Sequence, residues 1–164
     1  MKNMPVRKNI RLRDYDYSSS GYYFITICVK DRHNLLWDAS VGAAIGRPSL
    51  SGVGNVTQKA IENIPNIYRS ITIDKYVIMP NHIHLILNVS NDYEAILRDG
   101  RPMAAPTIST VINQMKGYIT KQIGYSVWQK LFHDHIIRDE DEYQRIWQYI
   151  DDNPVKWDED CYYI

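Results

Sequence analysis

His82 and His84 flank a single isoleucine in the string Pro80-Asn81-His82-Ile83-His84-Leu85-Ile86-Leu87, which otherwise reads as a buried β-strand. Side chains alternate faces along a strand. Both imidazoles therefore point the same way, roughly 7 Å apart at Cα, and Ile83 points to the other side. Imidazole nitrogen is a ligand for divalent metals, and two on one strand supply half of a preorganised site. The spacing fits a hydrogen-bonded histidine pair on a half-exposed strand equally well. His133 and His135 repeat it in Phe132-His133-Asp134-His135-Ile136-Ile137-Arg138. That second pair reads as a strand-edge pair, or as one in which His135 orients a substrate phosphate.

A second kind of chemistry sits further on. Tyr149 and Asn153 are four residues apart, so they share one face of a helix. A phenol is a poor nucleophile at its free pKa of about 10. It becomes useful when a metal polarises the electrophile and the hydroxyl is held in line. Two imidazoles and an amide oxygen leave positions open on octahedral Mg²⁺ or Mn²⁺ for water and a scissile phosphate. A structural Zn²⁺ site would want four protein ligands, preferably thiolates. Cys28 and Cys161 have neither metal nor redox spacing. Tyr118 and Gln122 repeat the Tyr–amide spacing, and spacing alone does not choose between the two tyrosines.

These residues need a scaffold. Gly21 precedes an aromatic and β-branched run, Tyr22 to Val29, that predicts a first and central strand. Five glycines and prolines in 38–55 predict a loop or mobile insertion. Apolar spacing predicts a helix over Thr57 to Tyr68, interrupted by Pro65. Ile71 to Met79 reads as a second strand, joined through Pro80-Asn81 to the histidine strand by a tight hairpin. Residues 91–106 read as loop. Thr107 to Ile123 is a helix with Thr107 or Ser109 as cap, Gly124 as terminator, and Lys116 and Lys121 off its apolar stripe. Phe132 to Arg138 is a fourth strand. Asp139 then caps a last helix, with Glu142 placed for a capping box, that runs to Asn153 before Pro154. The order β, α, β, β, α, β plus a C-terminal helix predicts an α+β, ferredoxin-like split βαβ fold. Helices would cover one face of the sheet and leave the other for a site.

A chain of 164 residues, 45% apolar and of zero formal charge, is expected to form one domain over 1–164. No apolar run reaches membrane-spanning length, and the first residues are charged, so a reducing cytoplasm with two free thiols is expected. The charge is uneven. Residues 1–13 carry Lys2, Arg7, Lys8, Arg11 and Arg13 with no acid, a basic arm suited to a phosphate backbone or to solvent. Asp139 to Asp160 holds nine acids against Arg145 and Lys156.

Taken in order, Met79-Pro80-Asn81-His82-Ile83-His84-Leu85-Ile86, Val127-Trp128-Gln129, Phe132 to Arg138 and Tyr149-Ile150-Asp151-Asp152-Asn153-Pro154-Val155-Lys156 resemble a known family. It is that of the REP-associated tyrosine transposases, single-strand DNA transposases of the HUH endonuclease superfamily. The resemblance runs from about Arg7 to Trp157. It implies a ferredoxin-like core, with His82, His84 and Asn153 holding Mg²⁺ or Mn²⁺. It selects Tyr149 over Tyr118 as nucleophile, because the family's tyrosine lies on the last helix just ahead of an Asn-Pro. It further implies cleavage and rejoining of single-stranded or hairpin DNA through a 5′-phosphotyrosine; from their charge, Arg7, Lys8, Arg11 and Arg13 of the basic arm are candidate DNA contacts. Either a monomer or a homodimer with the tyrosine helix acting in trans is compatible with it. The Gly-rich 38–55 stretch is outside the shared motifs, and the chain ends soon after the tyrosine helix. Two other classes suit the residues. A non-catalytic nucleic-acid-binding module would not need His82 or His84. A phosphodiesterase using water would survive loss of Tyr149.

Overall fold

Aromatic and β-branched residues make β1 (Gly21–Cys28) a central strand, paired antiparallel with β3 (His82–Val89) on one side and β6 (His133–Ile137) on the other. The computed structural model describes residues 19–38, 49–90, 97–98, 101–102 and 106–163. Strand β2 (Ile71–Ile78) flanks β3, which gives the order β2-β3-β1-β6. Two short strands, β4 (Leu97–Arg98) and β5 (Arg101–Pro102), pair apart from this sheet. With helices between β1 and β2 and between β3 and β6, this is the expected α+β, ferredoxin-like split βαβ arrangement.

Alternation divides the sheet into two faces. Tyr23, Ile25, Ile27, Ile83, Leu85, Leu87 and Val89 pack with residues of α1 (Gly52–Glu62) and α3 (Ile108–Ile123) in the larger core. Each fully buried aliphatic chain there contributes about 1.5–3 kcal/mol. On the opposite face Phe24, Val77, Ile86 and Ile137 meet Tyr143, Ile146, Trp147 and Ile150 of α4 (Glu140–Asp152). His82 and His84 belong to this second face, as sequence alternation requires.

Local chemistry sets the helix ends. Thr107 Oγ1 accepts from Thr110 N at 3.2 Å, and Gly124 ends α3 in the left-handed region at φ 87°. Asp139 Oδ1 accepts from Glu142 N at 2.8 Å. Glu142 in turn accepts from Arg138 N at 2.9 Å, one residue ahead of the cap. Helix α4 is also tied to the edge strand β2. Tyr143 donates to Asp74 at 3.0 Å, Lys75 pairs with Asp151, and the Lys75 ammonium lies 4.6 Å from the Trp147 ring centroid. These ties fix the tyrosine helix against the sheet.

Three expectations need correction. Residues 91–106, read as loop, carry the β4–β5 pair. The stretch 38–55 is not loop throughout: Trp37 bridges Leu50, and α1 already begins at Gly52. Ser51 caps it by accepting from Gly54 N at 3.0 Å. Gly54 is there for contact rather than for a turn, because a Cβ added to it would lie 2.1 Å from the Leu36 carbonyl oxygen. Residues 39–48 lie outside the described residues, as does the basic arm with Arg7, Lys8, Arg11 and Arg13. Lys116, expected off the apolar stripe, is buried with 9% exposure. Its ammonium reaches out of the core to the carbonyls of Gln129 and Lys130, at 2.7 and 3.0 Å. α2 (Ile64–Ile67) carries Pro65 in its first turn and accounts for the predicted interruption. Among the described residues no helix is long and apolar enough to cross a membrane.

Gly54→Ala forces backbone rather than a flexible side chain to move. We expect it to destabilise the fold by about 1–3 kcal/mol, read as a lower urea midpoint with unchanged slope. An unshifted midpoint would mean that α1 and the Leu36 backbone are not in this contact.

Candidate active site

The register of β1 and β3 places Thr26 opposite His84 and Cys28 opposite His82. Thr26 Oγ1 lies 2.8 Å from His84 Nδ1. Asn81, read from sequence as a turn residue, is 1% exposed. Its amide nitrogen donates to the carbonyls of Arg32 and Tyr162, at 3.3 and 2.8 Å, which leaves its oxygen to accept from His82 Nδ1 at 2.9 Å. His82 Nε2 therefore carries a lone pair. The Thr26 hydroxyl accepts or donates, so His84 can present a lone pair at Nε2 as well. The two Nε2 atoms face one another at 3.1 Å.

Both rings are buried, His82 at 0% and His84 at 1% exposure. Burial lowers the His82 pKa from its ordinary 6.5 to about 4, against the pull of the Asp160 carboxylate and with help from Arg32. Burial, then the neighbouring His82, holds His84 well below its ordinary value. Both are neutral at pH 7, the form that ligates metals. The same shift is a stability term. Between pH 6.5 and about 4 the unfolded chain binds a proton at His82 that the folded chain refuses. The contribution is thus complete above pH 6.5 and lost as pH falls towards 4, about 3 kcal/mol in all. In metal-free buffer the urea midpoint should fall between pH 7 and 5, and His82→Gln should flatten that part of the profile. A wild-type midpoint that is flat over this range would contradict the buried, neutral pair.

Tyr149 projects from α4 towards the pair. Its hydroxyl lies 3.3 Å from His84 Nε2, and its ring centroid is 5.3 Å from that of His84. Phe24 packs against both rings, stacked on His84 at 5.1 Å and edge-on to Tyr149 at 6.2 Å. Burial raises the phenol pKa, and the Asp160 carboxylate adds to this, while the Asn153 amide opposes it. Asn153 is 3% exposed; its amide interacts with the Tyr149 phenol, and its oxygen has no hydrogen-bond partner among the described residues. A buried amide oxygen of this kind is available to a ligand. Tyr149, Asn153 and Asp160 line one cleft of about 170 Å³.

Sequence reasoning missed Asp160, which appeared only as one acid in a run. Its carboxylate is 3% exposed, and Oδ2 lies 4.0 Å from His82 Nε2. His82, His84 and Asp160 offer donor atoms all within 4.8 Å of one another. A metal fits these residues. Two cis ligands on an octahedral ion with bonds near 2.1 Å are about 3.0 Å apart, close to the Nε2 separation seen. Both Nδ1 atoms are held by side chains, as in metal sites generally. Imidazole nitrogen combined with carboxylate oxygen suits a divalent cation.

The segment after α4 folds back over the histidines. Tyr162 lies 4.5 Å and Trp157 5.9 Å from the His82 ring, centroid to centroid. The face expected to be left free is therefore covered twice, by α4 and by this return. Nothing in the sequence pattern marked the return except its aromatics.

The rival residues lie elsewhere. His133 and His135 do share the histidine face, as their register with Thr26 and Phe24 requires, but on the outer strand β6. Both are exposed, and His135 is engaged by Glu142 at 2.6 Å. Tyr118 is exposed on α3, across the sheet from His82 and His84.

No family model matches the chain. It is similar to an uncharacterised protein of Haemophilus influenzae, 34% identical over 173 residues that cover 96% of this chain and 93% of that protein. Among solved structures it is similar to a REP-associated tyrosine transposase bound to a REP hairpin, with a TM-score of 0.63 and 23% identity over 90% of this chain and 73% of that one. It is also similar to a provisionally assigned transposase of Deinococcus radiodurans R1, with a TM-score of 0.50 and 16% identity over 87% and 95% of the two chains. At these identities the structural likeness is one of fold.

Proposed function

We infer that this chain, which belongs to the same family as the Haemophilus influenzae protein, is a metal-dependent enzyme that cuts and rejoins single-stranded DNA. The observation that carries this reading is the meeting of three groups at one point. The Tyr149 hydroxyl is 3.3 Å from His84 Nε2, which faces His82 Nε2 at 3.1 Å. The shared fold with a tyrosine transposase bound to a hairpin supports it, and hairpin-forming DNA is the proposed substrate.

His82, His84 and Asn153, with Asp160 beside them, would hold Mg²⁺ or Mn²⁺. A bound divalent cation supplies Lewis-acid polarisation of the scissile phosphate. The rest falls to the chain. Tyr149 Oη attacks phosphorus, losing its proton, and forms a Tyr–O–P bond. The P–O3′ bond breaks, and the departing oxygen takes up a proton as a free 3′-OH. The phosphodiester is thus conserved as a 5′-phosphotyrosine. A second 3′-OH then attacks phosphorus and releases the phenol, so joining needs no nucleotide cofactor. Phe24 keeps the Tyr149 and His84 rings in register. For a phosphate to reach the imidazoles, the Trp157 and Tyr162 side chains must move aside, since His82 is fully buried beneath them.

The non-catalytic alternative would use an open sheet face to stack bases. That face is covered by Tyr143, Ile146, Trp147 and Ile150, which speaks against it. The test is to incubate purified protein with labelled hairpin DNA carrying a single-stranded flank, with Mn²⁺ or with a chelator. Cleavage that appears only with the metal supports the reading; cleavage of equal extent with chelator would sink it.

A further inference from the structure

A second cleft, of about 500 Å³, opens between α3 and the segment that bridges β1. Lys30, Lys116 and Lys130 line it with Asn113, Gln129 and Trp128, and no carboxylate does. In a chain of zero net charge that is a marked segregation. The cleft beside Tyr149 is the reverse, lined by Asp152, Glu159 and Asp160 against Lys156 alone. A polyanionic substrate is repelled by that lining and needs cations elsewhere.

Two buried groups set this second cleft apart from a scatter of surface lysines. Trp128 is 5% exposed, yet its indole N–H has no hydrogen-bond partner among the described residues. Its ring forms part of the cleft wall, while the N–H itself is shielded from solvent. Lys116 spends two of its three N–H donors on the Gln129 and Lys130 carbonyls, which holds the wall rigid and leaves one donor free. Lys30 and Lys130 are exposed at the rim. All the charged groups here are donors and none is an acceptor, which selects a ligand rich in anionic oxygen.

The cleft is anchored at the end of β1, the strand paired with the one that carries the histidines. Gln129 N donates to Cys28 O, Lys30 N donates to Val127 O, and Val29 bridges Trp128. Cys28 is the register partner of His82. The cleft lies on the α3 side of the sheet, so a strand leaving the histidines would round this end of the sheet to reach the lysines.

We propose that this cleft is a phosphodiester-binding site that grips the DNA backbone on the α3 side of the sheet, across it from the scissile position. That the gripped strand is the one to be cut rests on the function proposed above; that the cleft binds phosphodiester does not. The test uses the full chain and a labelled 20-nucleotide single strand of mixed sequence, with fluorescence anisotropy read across a salt series. Lys30→Gln combined with Lys130→Gln should weaken binding at least tenfold at low salt. It should also reduce the slope of log affinity against log salt by about 1.4, the release expected for two phosphate contacts on a single strand. Unchanged affinity and slope in the double variant would overturn the proposal. So would displacement of the wild-type complex by polyglutamate as readily as by unlabelled oligonucleotide, since the cleft would then be a site for acidic protein. Wild-type protein that shows the salt slope and its loss, yet never cleaves DNA, would leave this site standing and remove the function proposed above.

Discussion

Tyr149→Phe is expected to abolish covalent capture of DNA. The substitution removes one oxygen from a side chain that is 41% exposed and whose hydroxyl has its hydrogen-bond contact with His84 at 3.3 Å. Fold and DNA affinity should therefore be nearly unchanged. Removing the nucleophile of a covalent mechanism typically costs several orders of magnitude, so cleavage should fall by at least about a thousandfold. The hydrolytic alternative predicts otherwise. Asp160, 4.0 Å from His82, is placed to take a proton from water at the same site. If water were the nucleophile, Tyr149→Phe would go on cutting and wild-type protein would form no adduct. Strand cleavage by the variant, compared with wild type on one labelled substrate, separates the two.

His84→Ala is expected to have the next largest effect, and its readout is independent of catalysis. Loss of a partner that merely orients a metal ligand costs 10–100-fold in affinity, and loss of a ligand should exceed that. Titration calorimetry should show Mn²⁺ affinity reduced by at least about a hundredfold. Saturating Mn²⁺, at 100 times its Kd, should stabilise wild type by about 2.7 kcal/mol and leave the variant unmoved. Because an imidazole at 1% exposure packed on Phe24 is also lost, the variant's metal-free melting temperature serves as its own baseline. Equal metal-induced stabilisation in both proteins would contradict a metal at the histidine pair.

The parts of this molecule that were legible in sequence are those governed by local periodicity. Alternation along 82–89 put both imidazoles on one face, and i,i+4 spacing put Tyr149 beside Asn153. Thr107, Gly124 and Asp139 announced the helix ends where they occur. What escaped depends on contacts between distant segments. Asn81 and Thr26 orient the imidazoles because sheet register and the returning tail bring them there. Asp160 reaches His82 across 78 positions of sequence, by a turn with no periodicity to announce it. Gly54 reads as a loop residue until the Leu36 carbonyl against it is seen, and Lys116 reads as solvated until its two carbonyl acceptors are. The choice between Tyr149 and Tyr118 was closed in sequence by resemblance alone. The fold adds a geometric distinction, because the two tyrosines lie on opposite faces of the sheet.

The most direct measurement is peptide mapping of the protein–DNA adduct. Wild-type protein incubated with hairpin DNA and Mn²⁺ is denatured, digested with protease and nuclease, and sequenced by tandem mass spectrometry. The account predicts a nucleotide joined through its 5′-phosphate to Tyr149, absent when the metal is chelated. A nucleotide found on Tyr118 or on any other residue, or full cleavage with no modified peptide at all, would contradict it.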